Sequence, residues 1–114
     1  MKRILLLLAC LAILSFGAPA ALADEPRVQI LSPSDGEAVD MMEQTRVEYE
    51  VVPGPRGDHV HVYVDGNEVD ILRQLTGGYT LATLEPGERE VCIKVVNRAH
   101  VPIGVEDCVT LAVQ

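Results

Sequence analysis

The three histidines of this chain are the side chains best suited to chemistry, because neutral imidazole is the commonest side-chain metal ligand. His59 and His61 are two residues apart in Asp58-His59-Val60-His61-Val62-Tyr63-Val64-Asp65, and His100 is the third. Nitrogen ligands favour copper or zinc in an exported protein. We therefore predict a surface site for copper or zinc that His59, His61 and His100 form together, with Asp58 or a water as a fourth ligand.

The spacing of the first two histidines determines where they point. On a β-strand, period two places His59 and His61 on one face and Val60 and Val62 on the other, so we expect both imidazoles on the outer face. Their Cα atoms would be about 6.5–7 Å apart, which allows both rings to reach one ion. The alternative is that they are ordinary outward polar residues and that His100 is a solvated loop residue.

Other potential ligands are weaker candidates. Met41 and Met42 are soft donors suited to copper(I), but we expect them to pack in the core or at a sheet edge, at the opposite end from His59. Tyr63 shares the histidine face. The acids near the histidines lack the spacing of a calcium loop, and we expect them to be solvated; they are Asp58, Asp65, Glu68 and Asp70.

The sequence offers no apparatus for catalysis. After residue 23 the only serines are Ser32 and Ser34, both in a turn that contains Pro33, and glycine-rich phosphate motifs are absent. No acid/base pair stands out among the surface carboxylates. We expect a protein that is not an enzyme.

The N-terminal segment indicates the compartment. Lys2 and Arg3 precede an apolar stretch, and Ala21-Leu22-Ala23 fits a signal-peptidase site, so we predict a secretory signal peptide over 1–23 and one domain over 24–114. The apolar stretch is too short to span a membrane. Two alternatives stay open, lipidation at Cys10 and an uncleaved anchor. We expect a periplasmic or secreted protein.

Export gives the two remaining cysteines a defined role. Cys92 and Cys108 are an even pair, and in an oxidising compartment such a pair forms a disulfide. The bridge would close a loop of 17 residues and stabilise the fold by about 3 kcal/mol.

Charge limits the partners. Of the nine basic residues two lie in the signal segment, so the domain carries seven basic and 17 acidic residues, a net charge of −10. Such a charge excludes nucleic acid and anionic membrane and fits a metal ion or another exported protein. We expect no stable membrane insertion of the mature chain.

The domain reads as an all-β sandwich, because short alternating runs are separated by turns and no helical period is present. A brief edge piece at Ala38–Met42 accompanies seven predicted strands. Strands one, two and five should form one sheet and strands three, four, six and seven the other. The seven are Arg27–Leu31, Gln44–Val52, Asp58–Asp65, Glu68–Arg73, Tyr79–Leu84, Glu90–Val96 and Val105–Val113.

The same alternation predicts the core. The turn after the third strand centres on either Asp65-Gly66 or Gly66-Asn67, and both registers keep Val62 and Val64 on one face with Val69 and Ile71. The predicted core residues are Val28, Ile30, Val47, Tyr49, Val51, Val60, Val62, Ile71, Leu81, Val91, Ile93, Val109 and Leu111.

The last hairpin should turn about His100, and its register can be tested. Cys92 then pairs with Cys108, within disulfide reach, and Lys94 pairs with Glu106. The same register points Asp107 inward, opposite Ile93. A bulge or a contact with loop backbone would accommodate that carboxylate, and the sequence does not decide between the two.

Several segments resemble known exported domains. Ile30-Leu31-Ser32-Pro33-Ser34-Asp35-Gly36 and Leu84-Glu85-Pro86-Gly87 resemble bacterial immunoglobulin-like or fibronectin-III-like domains. Residues 58–65 and Asn97-Arg98-Ala99-His100-Val101-Pro102 resemble the histidine-rich strand and loop of a family of small exported domains of unknown function. Val60 stands where that family has a histidine, and Arg98-Ala99 stands where it has His-Asn, so the resemblance implies a histidine-poor member and no established activity.

These observations give two hypotheses. The first is an exported metal-binding module that scavenges, buffers or delivers copper or zinc. The second is a non-catalytic module that docks to another exported protein through a sheet edge or its acidic surface. The sequence does not specify an oligomeric state.

Overall fold

The computed structural model describes residues 25–114, which form eight β-strands in two sheets. The predicted signal peptide, its cleavage site after Ala23 and Cys10 lie outside the described residues. No helix in the described range could cross a membrane. The strands are β1 (Arg27–Ser32), β2 (Ala38–Val39), β3 (Arg46–Val52), β4 (His59–Val64), β5 (Asn67–Leu72), β6 (Thr76–Thr80), β7 (Gly87–Val96) and β8 (Pro102–Val113).

The predicted division into two sheets is confirmed. One sheet has the order β1-β3-β6, and the other has the order β2-β8-β7-β4-β5. Every pairing is antiparallel except that of the short β2 with β8, which is parallel. The chain is therefore the predicted all-β sandwich, with the edge piece shortened to two residues.

The core lies between the inner faces of the two sheets. Val47 of β3, Val60 and Val62 of β4, Ile93 of β7 and Leu111 of β8 are fully buried there. Valine and isoleucine suit this position because β-branched side chains pack well on a pleated surface. Val95 and Val113, which the predicted core omitted, belong to the same cluster, and Val28 packs at its margin.

Ile71 was predicted in the core, and this prediction is wrong. The pairing of β4 with β5 shifts at a β-bulge, so Val62 pairs with Asp70 and His61 pairs with Ile71. The extra residue reverses the face of the strand beyond it. Ile71 consequently lies on the outer face beside His61 and is exposed.

The predicted strand Tyr79–Leu84 also needs correction, because β6 begins and ends earlier. Gly77 and Gly78, which precede the predicted strand, pair with Tyr49 and Glu48 of β3. The Arg46 guanidinium covers Gly78 so closely that a Cβ there would overlap it. A glycine suits this position of β6 because the Arg46 side chain of β3 leaves no room for a Cβ on Gly78.

Asp107 points inward, as the hairpin register required. It pairs with Ile93, and its Oδ2 accepts a hydrogen bond of 2.8 Å from the backbone N–H of Ile30 in the other sheet. Its Oδ1 accepts a second one from the N–H of Cys108. The carboxylate is therefore accommodated by strand backbone, which was neither of the two alternatives, a bulge or loop backbone, and it ties the two sheets together.

The predicted register of the β7–β8 hairpin is confirmed. Cys92 pairs with Cys108 and Lys94 pairs with Glu106, whose Oε2 lies 3.6 Å from the lysine Nζ. The two cysteines form the predicted disulfide, with Cα atoms 4.1 Å apart. The pairing shifts only beyond Lys94, where the chain approaches the loop that carries His100.

Removing the bridge should destabilise the sandwich without changing its fold. The double variant Cys92→Ala/Cys108→Ala should lose about 2–4 kcal/mol of unfolding free energy, because the unfolded chain regains the entropy of an open loop. Urea unfolding with and without a thiol reductant measures this. The wild type should lose stability on reduction and the double variant should not, and a wild type indifferent to reductant would contradict the bridge.

Candidate metal centre

The pairing of β4 with β7 fixes the first two histidines. His59 is the first residue of β4 and pairs with Val96, the last residue of β7, while His61 pairs with Lys94. Gly57 precedes this strand where a Cβ would overlap the Pro53 carbonyl and the Val95 side chain. The chain therefore enters β4 pressed against the sandwich, and both imidazoles project from the face opposite the core.

Asn97 organises the loop that presents His100. Its side-chain Oδ1 accepts hydrogen bonds from the N–H groups of Ala99 (2.9 Å) and Val101 (3.1 Å). Its backbone N–H donates to the Val101 carbonyl, and its own carbonyl accepts from the N–H of His100. His100 is held at φ 63°, a left-handed conformation that non-glycine residues adopt only when local contacts support it.

The structure brings all three histidines together. Nε2 of His59, Nε2 of His61 and Nδ1 of His100 lie 3.0 Å from one another, so the three nitrogens form an equilateral triangle. Their rings are tilted or edge-on, with centroids 4.6–5.2 Å apart. Each ring therefore directs one nitrogen toward a common centre.

The site is less superficial than predicted. His59 and His61 were expected to be exposed on the outer face, yet each is only 2% exposed, while His100 is exposed. The face is correct, but the His100 loop and the neighbouring rings cover the first two imidazoles. Access to the centre is therefore from the side of His100.

Two carboxylates hold the buried rings from behind. Asp58 Oδ2 lies 2.8 Å from Nδ1 of His59, and Glu68 Oε1 lies 2.9 Å from Nδ1 of His61. The second contact has ion-pair distance but poor hydrogen-bond direction, so Nδ1 of His61 lacks a well-directed partner among the described residues. Asp58 thus supports a ring and does not point its carboxylate at the centre, which corrects its predicted role as fourth ligand.

Each carboxylate favours the tautomer in which Nδ1 of the neighbouring ring carries the proton. Asp58 accepts a hydrogen bond from Nδ1–H of His59, and the negative charge of Glu68, 2.9 Å from Nδ1 of His61, favours a proton there without a well-directed hydrogen bond. Each Nε2 then presents a lone pair to the centre. Carboxylates behind metal-binding imidazoles have this orienting effect.

Electrostatics favours a neutral His61 ring. Burial lowers the pKa of His61, because desolvation penalises the imidazolium, and this outweighs the opposing charge of Glu68. The pKa of the Asp58 carboxyl is also lowered, first by its hydrogen bond with His59 and then by nearby positive charges that include Arg98 and Arg73. At neutral pH the site combines neutral imidazole with ionised carboxylate.

The triangle of nitrogens cannot satisfy itself by hydrogen bonding. Each neutral imidazole nitrogen is either a donor or an acceptor, so at least two of three mutually adjacent nitrogens must have the same role. If Nδ1 of His100 carries a proton, the lone pairs of His59 and His61 still face each other at 3.0 Å. A metal ion at the centre removes this conflict, because it accepts the lone pairs of all three nitrogens.

The triangle also has the dimensions of a metal site. With metal–nitrogen bonds of 2.0–2.1 Å, an ion would lie about 1.1 Å above the plane of nitrogens spaced at 3.0 Å and would subtend angles of about 94°. Such a facial arrangement occupies three positions and leaves the others open. His59, His61 and His100 could therefore hold one copper or zinc ion with exchangeable positions.

Other residues considered from the sequence lie outside the cluster. Met41 and Met42 are exposed, and the N–H of Met41 donates to the Gln114 carbonyl at the opposite end of the sandwich. They do not pack in the core, and they lie, as predicted, at the opposite end of the sandwich from the histidines. Tyr63 lies beside His61, with Lys94 Nζ 4.7 Å above its ring, and belongs to the packed outer surface.

Sequence reasoning missed the residues that support the ligands. Asp58 and Glu68 were read as solvated acids, and Asn97 was not singled out. For Asp58 the signal was its place directly before a histidine at a strand start. The role of Glu68 depends on the bulge in β5, which places it opposite Tyr63, and this has no clear sequence signature.

Comparison with known proteins supports the fold. No family model matches the sequence, and no curated protein matches it. Among solved structures, the fibronectin(III)-like modules of Clostridium thermocellum CbhA superpose with a TM-score of 0.62 at 16% identity, covering 76% of this chain and 95% of that one. The chain therefore has a fibronectin-III-like fold.

Two larger proteins contain a similar domain. An FMN-binding beta-glucuronidase from Facaelibacterium prausnitzii matches with a TM-score of 0.54 at 22% identity over 81% of this chain. An engineered protein matches with a TM-score of 0.54 at 24% identity over 78%. The matches cover 12% and 20% of those chains respectively, so the likeness concerns one domain of each.

The stability of the metal-free protein should fall on mild acidification. Because folding lowers the pKa of His61, the unfolded chain binds more protons than the folded one. The contribution of this group to the free energy of unfolding is therefore fully present above the ordinary imidazole pKa of about 6.5 and is lost as the pH falls below it. Urea unfolding between pH 7.5 and 5.5 with a chelator measures the slope. His61→Gln should flatten it, and an equal slope in that variant would contradict the assignment.

Asn97 should control the order of the His100 loop. Asn97→Ala removes the acceptor of two backbone hydrogen bonds, so the amides of Ala99 and Val101 should exchange with solvent faster. Asn97→Asp keeps an acceptor oxygen and should preserve their protection. Hydrogen exchange followed by NMR compares the two variants, and unchanged protection in Asn97→Ala would contradict this role.

Proposed function

We propose that this protein is an exported, non-catalytic metal-binding module that holds one copper or zinc ion through His59, His61 and His100. The observation that carries the proposal is the triangle of ring nitrogens at 3.0 Å, which directs three lone pairs at one point. Three ring nitrogens this close together repel one another through their lone pairs, and a bound cation stabilises such a cluster.

The arrangement suits reversible binding. Two ligands are rigid and buried on β4, while the third is exposed on a loop of five residues between β7 and β8. A closed structural site would have four protein ligands, whereas three leave room for exchange. This supports a role in scavenging, buffering or delivering the ion.

Two features support export. The Cys92–Cys108 disulfide is typical of proteins in oxidising compartments. The N-terminal residues have the charge and hydropathy pattern of a secretory signal peptide. The periplasm or the extracellular space is therefore the proposed location.

Metal titration is the direct test. At pH 7.5 the purified protein should bind about one equivalent of Cu²⁺ or Zn²⁺, measured by isothermal titration calorimetry. His59→Ala, His61→Ala and His100→Ala should each weaken binding strongly, because a facial site needs all three nitrogens. Affinity should fall as pH decreases below about 6, since protons compete for imidazole.

A matched control uses the methionines. Met41→Ala/Met42→Ala should bind like the wild type, because these side chains lie at the opposite end of the sandwich. If His100→Ala binds like the wild type, the three histidines do not act as one site. If the wild type binds only at millimolar concentrations, the metal proposal fails.

The second candidate function is protein interaction without a metal. The observation that favours it is the edge strand β5, whose outer neighbour position is free within the described residues and whose Val69 and Ile71 side chains are exposed. An exposed edge can pair with a strand of another protein. Chemical-shift changes confined to β5 on adding an exported partner would support this function.

A further inference from the structure

The loops at the two ends of the sandwich carry opposite charge. At the histidine end, the loops 53–58, 73–75 and 97–101 contain Arg56, Arg73 and Arg98 and a single acid, Asp58, while the N-terminal segment beside Gly54 adds the opposite charges of Glu25 and Arg27. At the other end, the loops 33–37, 40–45, 65–66 and 81–86 contain six acids and no lysine or arginine. The acids are Asp35, Glu37, Asp40, Glu43, Asp65 and Glu85.

Three of the six acidic side chains at this end are available for contact with another molecule. Asp35, Asp40 and Asp65 accept hydrogen bonds from backbone N–H groups of this chain, and Asp65 also pairs with Arg89. By contrast, the side chains of three exposed acids make no ion pair within residues 25–114. These acids are Glu37, Glu43 and Glu85.

The arginines at the histidine end remain available too. Arg98 Nε lies 3.8 Å from one Asp58 oxygen, and Arg73 lies 3.9 Å from the other, both beyond hydrogen-bond distance. The two guanidinium groups flank a carboxylate already in place, so they do not converge on a vacant point for one small anion. They fit a broader acidic surface.

Apolar side chains border the same end. Ile71 pairs with His61 across β4 and β5, Val101 follows His100, and both are exposed. Exposed apolar groups with a rim of arginines are typical of protein–protein interfaces. The charge and the apolar border together indicate a protein surface as the occupant.

We propose that the acidic end of a second copy of this chain docks onto the histidine end of the first. The bound metal joins the two, because a glutamate carboxylate of the second copy takes one of its open positions. This inference rests on the proposed metal function. The contact joins two different surfaces, so it is head-to-tail and extends into chains of more than two copies.

Charge complementarity is the reason to assign the occupant to a second copy. This chain carries the complementary acidic surface on its own opposite end, and the metal adds two positive charges to the arginine end. The net negative charge of the whole chain opposes random encounters, but charges more than about 8 Å apart are largely screened at physiological ionic strength. End-to-end contacts are therefore favoured over other orientations.

Sedimentation equilibrium tests the assembly. With one equivalent of Cu²⁺ or Zn²⁺ at about 0.15 M NaCl, the weight-average mass should rise with protein concentration beyond the dimer, and it should return to that of the monomer with EDTA or at about 0.5 M NaCl. Arg98→Gln should reduce assembly. Arg46→Gln makes the same charge change near the acidic end and should not.

Mixing two variants tests the head-to-tail geometry. One variant carries Arg56→Gln, Arg73→Gln and Arg98→Gln, and the other carries Glu37→Gln, Glu43→Gln and Glu85→Gln. Each alone should stay monomeric with metal, while a mixture should stop at one-to-one dimers, since each partner offers one competent end. Assembly of the glutamate variant alone would overturn the proposal, because its histidine ends would then be pairing with each other or with another surface.

A metal titration at about 0.5 M NaCl, where the copies stay apart, separates this inference from the proposed function. One tight equivalent together with a monomer at every concentration overturns the assembly and leaves the metal site standing. Assembly that persists with EDTA overturns the role of the metal as the joint. Absence of metal binding overturns both proposals.

Discussion

The candidate site depends on the register of β7, the strand that pairs with β4 on one side and β8 on the other. The first pairing places His59 opposite Val96, and the second delivers the chain from Val96 into the His100 loop. A slip of one residue in β4 would turn both imidazoles into the core and expose Val60 and Val62. Burial of these valines therefore also fixes the direction of the ligands.

The disulfide and Asp107 secure this register from two directions. The bridge joins β7 to β8 two residue pairs away from Lys94 and Glu106, and the Asp107 carboxylate ties β8 to β1 of the other sheet. The strand frame under the histidines is thus covalently and electrostatically fixed. Ligands that are already in place lose little conformational entropy when an ion binds, so a rigid frame favours affinity.

The sequence predicted the parts of the fold that depend on the alternation of apolar residues and on the register of paired strands. Alternation predicted the two sheets, and the count of residues about His100 predicted that Cys92 faces Cys108. The prediction from alternation failed where one extra residue or a pair of glycines interrupts the alternation of apolar and polar residues. The bulge in β5 exposed Ile71 and brought Glu68 to His61, and Gly77-Gly78 belong to β6 although the predicted strand began at Tyr79.

The candidate site shows the same division. Strand direction was enough to predict that His59, His61 and His100 would meet, because the start of β4 lies beside the end of β7. Burial of the rings was not predictable, since it depends on how the loop ordered by Asn97 folds over them. The carboxylates behind the rings depend on side-chain reach, which period-two reasoning does not describe.

The net charge at the histidine end does not attract cations. A metal ion there would be held by coordination to the lone pairs of the three imidazoles and not by long-range electrostatic attraction. Three guanidinium groups, on Arg56, Arg73 and Arg98, stand against the carboxylates of Asp58 and Glu68, which leaves one formal positive charge. Such a field repels a free cation and attracts carboxylates. Metal affinity must then come from short bonds to oriented imidazoles, which salt hardly screens, whereas contacts between the charged ends act through exposed groups that salt screens strongly. Metal binding and end-to-end contact therefore differ in their dependence on ionic strength, although both centre on the same three histidines.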